Sequence, residues 1–280
     1  MLKDSFPARL ARGVALTTLL FIVVLPVFWG LTLAFRNNEE IVKISGINLA
    51  TFVPQNPTLE NFGRFFAAVD MLKVFPLTVF VCVSVMVLGL LINALAAYPF
   101  ARLQFRGKRL LFSIVIATMV LPIEILIVPL YHIVKDFGMM DTVAALIVPF
   151  TASGFGIFFL RQFFAGIPKE FDEAAVMDGG GHPTIFFKIL LPLARTPLVT
   201  LGLILFLTQW DSFLVPVTLI SSPDKMVLQV AIFNLYSHIY FNDTAILFAG
   251  IFVAAVPIVI LFLFIQKYYV VGISSSGIKG

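Results

Sequence analysis

The sequence predicts an all-α fold: a polytopic transmembrane bundle of about six spanning helices, with both termini cytoplasmic. Three observations predict it. Hydrophobic residues make up 60% of the chain and charged residues only 12%, against roughly 25% charge in a soluble domain. So little polar surface cannot cover a globule in water, and lipid must be the solvent for much of the chain. Six apolar stretches reach the ~20 residues that a spanning helix needs. The Lys and Arg residues between those stretches are unevenly shared, as a fixed topology requires.

The first stretch, 13–35, follows the basic start MLKDSFPARLARG. It is too long for the apolar region of a signal peptide and lacks a small-residue cleavage pattern, so a retained span is expected. The second, 74–101, holds Asn93 and the sole cysteine, Cys82, which excludes an internal disulfide. The third, 110–130, contains Pro122, Glu124 and Pro129. Proline removes a backbone donor and frees a carbonyl, so this span is expected to be irregular. The fourth, 142–160, carries no charge, the fifth, 197–220, carries Gln209 and Asp211, and the sixth is 244–266. No repeat of fixed period relates them.

With the N-terminus inside, thirteen of the 19 Lys and Arg residues fall on inside segments, which favours that orientation. They are dispersed over several loops, so the basic charge reflects topology and a nucleic-acid surface is not expected. An acid within a span costs roughly 2.5–3.5 kcal/mol and tends to face the bundle interior or water. Glu124 and Asp211 are therefore candidates for a translocation path, with Asn93, Trp210 and Phe213 beside them. Structural pairing would account for the acids as well, and helix packing for the aromatics. His132, His182 and His238 are scattered and make no metal-ligand set. No nucleophile–base set appears, so no catalytic, cofactor-binding or metal-binding residue is expected. Gly272 and Gly277 begin a spacing like that of a phosphate-binding loop, but Ile278 stands where lysine is required.

The polar loop 161–196 interrupts this apolar chain. Pro168 can open a helix, and Glu170, Asp172 and Glu173 suit the positive end of its dipole. Phe171, Ala174, Ala175 and Met177 would form one small apolar side. Gly179 to Gly181 stop the helix. Pro183 opens a second helix, which Pro192 is expected to end. The paired alanines allow close approach by another protein.

The pattern Glu173-Ala174-Ala175, Gly179 after three residues, Ile189 after nine more, then Leu191-Pro192 resembles the EAA loop of ABC importer permeases. Four further stretches extend the resemblance: NPTLENF (56–62), AAYPFARLQFRGKR (96–109), QWDSFLVP (209–216) and QKYYVVGISSSGIKG (266–280). They are similar to segments of the carbohydrate-uptake permeases related to the maltose importer, and the chain resembles the smaller of its two permeases. The resemblance departs at Asp211 and Val215, where the family pattern has Asn and Trp.

The resemblance implies one permease domain over 1–280, with 161–196 as its cytoplasmic coupling loop. It implies that Glu173, Ala174, Ala175, Asp178, Gly179, Ile189, Leu191 and Pro192 couple transport to an ATPase. It also implies a sister permease, two ATPase subunits or domains that bind ATP and Mg, and an external solute-binding protein. A sugar or polyol is the implied substrate, and a bacterial or archaeal cytoplasmic membrane the implied location. This chain would bind no cofactor and perform no chemistry itself. An ion-coupled secondary transporter is the rival reading, though such proteins usually show internal repeats.

Overall fold

The computed structural model describes residues 6–44, 46, 49–235 and 243–276. It is 79% helical and has no strand among the described residues. His238, Gly277, Ile278 and Lys279 lie outside them.

In chain order the helices are α1 Phe6–Leu33, α2 Asn38–Val42, α3 Leu49–Phe52, α4 Glu60–Ala68, α5 Met71–Arg102, α6 Lys108–Thr118, α7 Ile123–Asp136 and α8 Val143–Ile147. They continue with α9 Gly154–Gly166, α10 Glu170–Met177, α11 His182–Thr184, α12 Leu191–Leu193, α13 Arg195–Trp210, α14 Leu214–Leu219, α15 Leu228–Asn234 and α16 Thr244–Ser276. A π-helical segment, Ile185–Leu190, joins α11 to α12.

Four stretches are long and apolar enough to cross a membrane unbroken: Leu10–Leu33, Met71–Arg102, Val143–Gly166 and Thr244–Phe264. Two more qualify only as bent pairs, α6 with α7 at 106° and His182–Leu193 with α13 at 78°. That gives up to six spans, the expected number, but two of them are not straight. The third is irregular as expected: α6 stops at Thr118 and Pro122 caps α7 in an extended conformation.

The fifth differs from the prediction. The stretch 197–220 breaks after Trp210, and Asp211 lies in the break rather than mid-helix. Pro216, in α14, has no amide to give the Ser212 carbonyl and would crowd it, so one helix cannot run through both. A second correction concerns Pro192, which does not end its helix. Helical geometry continues to Leu193 and stops at Ala194. The turn before Pro192 is the wide π segment, and such bulges commonly interrupt an α-helix without ending it.

The described chain divides into two compact units. The first comprises residues 1–70 and 231–259. Its α1 exposes apolar side chains from Leu10 to Phe28, as a lipid-facing helix does. After α1 the chain knots around the fully buried Arg36, which pairs with Glu40 at 3.1 Å and donates to the Thr51 carbonyl at 3.0 Å. Asn61, from the stretch NPTLENF, donates to the carbonyls of Ala34 and Arg36. The rings of Phe35, Phe62 and Phe252 cluster beside it.

The second unit comprises residues 71–230 and 260–280, with α5 as its axis. Helices α9 and α13 pack against α5 through Ala94, Ala97, Leu160, Phe164, Leu201 and Leu205. Small residues permit the close approach. A Cβ on Gly156 would lie 2.7 Å from Asn93 Cγ, and one on Gly89 would lie 2.9 Å from Leu205 Cδ1. A separate core joins Val81 and Val85 to Val134 of α7, Leu146 of α8 and Val215 and Leu219 of α14.

Candidate functional site

The 161–196 loop forms a helical hairpin. Beyond α9, Ile167 is extended and Lys169 precedes α10. Pro168 lies ahead of the helix, and the Lys169 carbonyl takes the first bonds, from the amides of Asp172 at 2.9 Å and Glu173 at 3.0 Å. Glu170, Asp172 and Glu173 crowd the first turn, where the helix dipole favours acids.

The three glycines after α10 have separate tasks. Gly179 takes the left-handed conformation at φ +79. Its amide donates to Val176 O at 2.9 Å, and the Gly180 amide donates to Ala175 O at 2.8 Å. This double bond pattern is a Schellman cap. Gly180 is required by space, since a Cβ there would stand 2.8 Å from the Ala175 carbonyl oxygen. Gly181 is extended at φ −100 and is constrained by neither.

The paired alanines part company, which corrects the expected single apolar side. Ala175 is buried in the core with Ile185, Phe186 and Leu190, while Ala174 is exposed. Phe171 (48% exposed), Ala174 and Met177 (82% exposed), three residues apart in turn, form the outer face. Glu173, Asp178 and Pro192 are exposed as well. Ile189 and Leu191 instead pack against the core and anchor the second arm.

Sequence reasoning missed what holds the hairpin. Arg102, the last residue of α5, pairs through Nε with Asp172 Oδ2 at 2.8 Å, and its side chain is 4% exposed against 18% for Asp172. The same guanidinium donates to the Ile167 carbonyl at 3.1 Å. One turn earlier on α5, the Tyr98 hydroxyl meets His182 Nδ1 at 2.8 Å, at the start of the second arm. The Tyr98 ring also packs edge-on against Phe186, at 5.5 Å between centroids. Two α5 residues four apart thus hold both arms. The signal was present in AAYPFAR, where Tyr98 and Arg102 share a helix face.

The five candidate path residues do not form one cluster. Asn93 is fully buried: its amide donates to Gly89 O at 2.6 Å and Thr151 O at 3.3 Å, and its Oδ1 accepts from the Ser153 amide at 2.9 Å. It staples α5 to the turn before α9, and its side-chain polar groups are taken up by that joint. Trp210 is also packed away, stacked on Phe206 at 5.8 Å and edge-on to Phe75 at 6.1 Å. Phe213 is half-buried against the α7–α14 core.

Glu124 and Asp211 are exposed and, among the described residues, neither finds a side-chain partner. Glu124 sits in the first turn of α7, and Asp211 in the break before α14. These two helices pack together, and their C-terminal ends meet where the Asp141 amide donates to Leu219 O at 3.0 Å. Both acids therefore belong to the N-terminal ends of one helix pair.

Asp141 was not singled out by sequence. It holds a left-handed conformation at φ 55, uncommon for a residue with a side chain. Its carboxylate accepts from the Ser222 hydroxyl, from the amides of Ser222 at 2.9 Å and Ser221 at 3.0 Å, and from Lys225 Nζ at 3.2 Å. The Ser222 hydroxyl first, then the two amides, hold this carboxyl well below the usual range. Among the described residues no three His, Cys, Asp or Glu side chains could share a metal ion.

Residues 86–274 match the family model described as the binding-protein-dependent transport system inner membrane component. The chain belongs to this family. The permease is 34% identical over 261 residues to the arabinooligosaccharides transport system permease protein AraQ of Halalkalibacterium halodurans, covering 93% of this chain and 92% of that one. It is 31% identical to the sulfoquinovosyl glycerol transport system permease protein SmoH of Agrobacterium fabrum, over 100% of this chain and 97% of that one. Its fold is similar to a chain from a crystal structure of a bacterial ABC transporter involved in the import of the acidic polysaccharide alginate. The TM-score is 0.81 at 21% identity, over 96% of this chain and 100% of the other.

The permease is thus a multi-pass inner-membrane subunit of the sugar ABC importer class. It is not itself catalytic, because the ATPase of such importers is a separate subunit.

Proposed function

We propose that the permease encloses, with a sister permease, the translocation path for a sugar or related polyol delivered by an external binding protein, and that α10 docks on a separate ATPase. The single observation that carries the coupling role is the asymmetry of α10. Its inner side is pinned through Asp172 and Ala175, while Phe171, Ala174 and Met177 stand exposed on the other. A helix that only joined two spans would have no reason to present an apolar face to water.

The ATPase would bind ATP and Mg, close, and reopen after hydrolysis. Movement of its docking surface would carry α10 with it. The Arg102–Asp172 pair and the Tyr98–His182 contact pass that displacement to α5, and the π segment passes it toward α13. Coupling of this kind needs the ATPase and the path to favour the same global states. The Lys and Arg distribution supports a cytoplasmic hairpin and cytoplasmic termini. The names of the relatives support a carbohydrate, and the exposed Glu124 and Asp211 are suited to meet its hydroxyls.

Ala174→Trp and Gly179→Val test the docking. Ala174 is exposed, so a bulky side chain leaves the hairpin folded and obstructs only a partner. Valine at φ +79 strains the cap. In the reconstituted complex both variants should insert normally yet lose ATPase association or substrate-stimulated hydrolysis, with substrate loading of the binding protein unchanged. Wild-type association and stimulation in both would make the hairpin a linker.

A further inference from the structure

The stretch QFRGKR has no part in the coupling hairpin, yet it helps build a crevice of about 680 Å³ where α5, α6 and α9 converge. Its lining includes Phe100, Phe105, Lys108, Arg109, Phe112 and Arg161. The turn from Leu103 to Gly107 joins two apolar helices, so the crevice lies at a membrane surface whichever side faces the cytoplasm.

Three cations line it and no acid does. Arg161 lies 4.9 Å over the Phe112 ring and donates to Phe100 O at 3.4 Å and Gln162 Oε1 at 2.9 Å. Lys108 Nζ donates to Leu103 O at 2.7 Å. Every one of these acceptors is neutral. Among the described residues no carboxylate pairs with Lys108, Arg109 or Arg161. Like charges gathered in a half-enclosed site repel unless an anion joins them. The rim is apolar: Leu110, Leu111 and Ile114 continue along α6, all exposed.

We propose that this crevice holds the phosphate headgroup of an anionic phospholipid, with an acyl chain lying along Leu110, Leu111 and Ile114. Guanidinium and ammonium groups are the usual donors to phosphate, and basic pockets between helices at a membrane surface suit anionic headgroups. The apolar rim selects a lipid over free phosphate, because inorganic phosphate would leave that rim unused.

The test uses the full chain in its complex, placed in nanodiscs of phosphatidylcholine doped with phosphatidylglycerol, with spin-labelled lipids reporting the bound fraction. Wild type should retain phosphatidylglycerol preferentially. Lys108→Gln and Arg161→Gln should each lower that preference about fivefold, the loss expected for one basic residue at a membrane surface. Lys108→Arg should preserve it, and so should Lys188→Gln, which removes an exposed cation elsewhere. Equal retention of the two lipids by wild type would overturn the proposal. An equal loss in Lys188→Gln would assign the effect to diffuse charge and overturn it too. Displacement of the labelled lipid by inorganic phosphate alone would make this a free-anion site and overturn the lipid assignment.

Discussion

At the first end of α5, Thr78 accepts a hydrogen bond from the Leu228 amide at 2.9 Å, and Asp141 gathers Ser221, Ser222 and Lys225 nearby in the chain. At the last end, Arg102 and Tyr98 hold the 161–196 hairpin. Thr78 and Arg102 are separated by about 36 Å of helix at 1.5 Å per residue, against about 30 Å for a bilayer core. The two polar knots therefore mark opposite membrane faces. At the Asp141 knot the carboxylate is consumed by the loop that follows α14. At the hairpin the carboxylate of Asp172 is consumed on one side, while Phe171, Ala174 and Met177 on the other remain open. The first knot closes on itself, whereas the second keeps an exposed face, as the proposed docking on an ATPase requires.

The largest effect should follow from reversing the charge that holds the hairpin. Arg102→Glu sets a second acid against Asp172 in a site where both side chains are largely buried. Breaking a buried pair costs about 3–5 kcal/mol, enough to release α10 from α5. Transport and stimulated ATP hydrolysis should fall more than tenfold, while the chain still reaches the membrane. Adding Asp172→Arg should restore a substantial part of both. Failure of the double variant to recover anything, with normal assembly, would mean that the pair does not position the hairpin.

The acids that neither knot uses come next. Asp141 and Asp172 are held, whereas Glu124 and Asp211 are exposed and without side-chain partners among the described residues. Glu124→Ala and Asp211→Ala should therefore cost transport and not assembly: uptake lowered severalfold at normal levels of intact complex. Wild-type uptake in both single variants would remove them from the path. A loss of assembly instead would place them with the structural acids.

What the sequence revealed and what it hid divide along chain distance. The helix of the hairpin, its acidic first turn and its glycine stop are local features, so spacing alone exposed them. The contacts that hold it are not local: Tyr98 and His182 are 84 residues apart, and Asn93 reaches Ser153 across 60. Asn93 looked like a polar residue stranded in a span because the Thr151 carbonyl and the Ser153 amide that it joins lie in the turn before α9, far along the chain. Asp211 looked mid-helix because an apolar run hides a break that Pro216 imposes. Ala174 and Ala175 are equivalent as letters, and only the packing of the π segment on Ala175 separates them. Asp141 escaped notice because its partners, Ser221 and Ser222, lie 80 and 81 residues on.

Asp141→Asn should produce a moderate effect of the opposite kind. It weakens a closed knot far from the hairpin, so the melting temperature should fall while ATPase stimulation per intact complex stays unchanged. The folded-state pKa of Asp141 is depressed. Its contribution is therefore complete above the ordinary carboxylate range and is lost only as pH falls through the depressed value. The stability gap between wild type and variant should stay constant from neutrality through mild acid and close only below that range. A gap that closes near the ordinary carboxylate pKa would contradict the hydrogen-bond account. Altered ATPase stimulation would show that the two ends of α5 are not separate devices.

The smallest effect should come from Tyr98→Phe, which asks how the hold on the hairpin is divided. The substitution deletes the 2.8 Å bond to His182 and keeps the ring that packs edge-on against Phe186. A typical net hydrogen bond contributes about 1 kcal/mol, and His182 is exposed, so water can replace the lost hydroxyl. The ion pair one turn away remains. Transport should stay within about twofold of wild type, because 1 kcal/mol of local loosening leaves the hairpin folded nearly all the time. Amide exchange over residues 181–186 should quicken by up to about fivefold, the factor that 1 kcal/mol gives in a local opening equilibrium. Exchange at Asp172 and Glu173, in the arm that Arg102 holds through Asp172, should not change. If Tyr98→Phe instead matched the loss in Arg102→Glu, the ionic contact would not be the principal hold. Unchanged exchange at 181–186 would mean that the Tyr98 ring, through Phe186, holds the second arm without its hydroxyl.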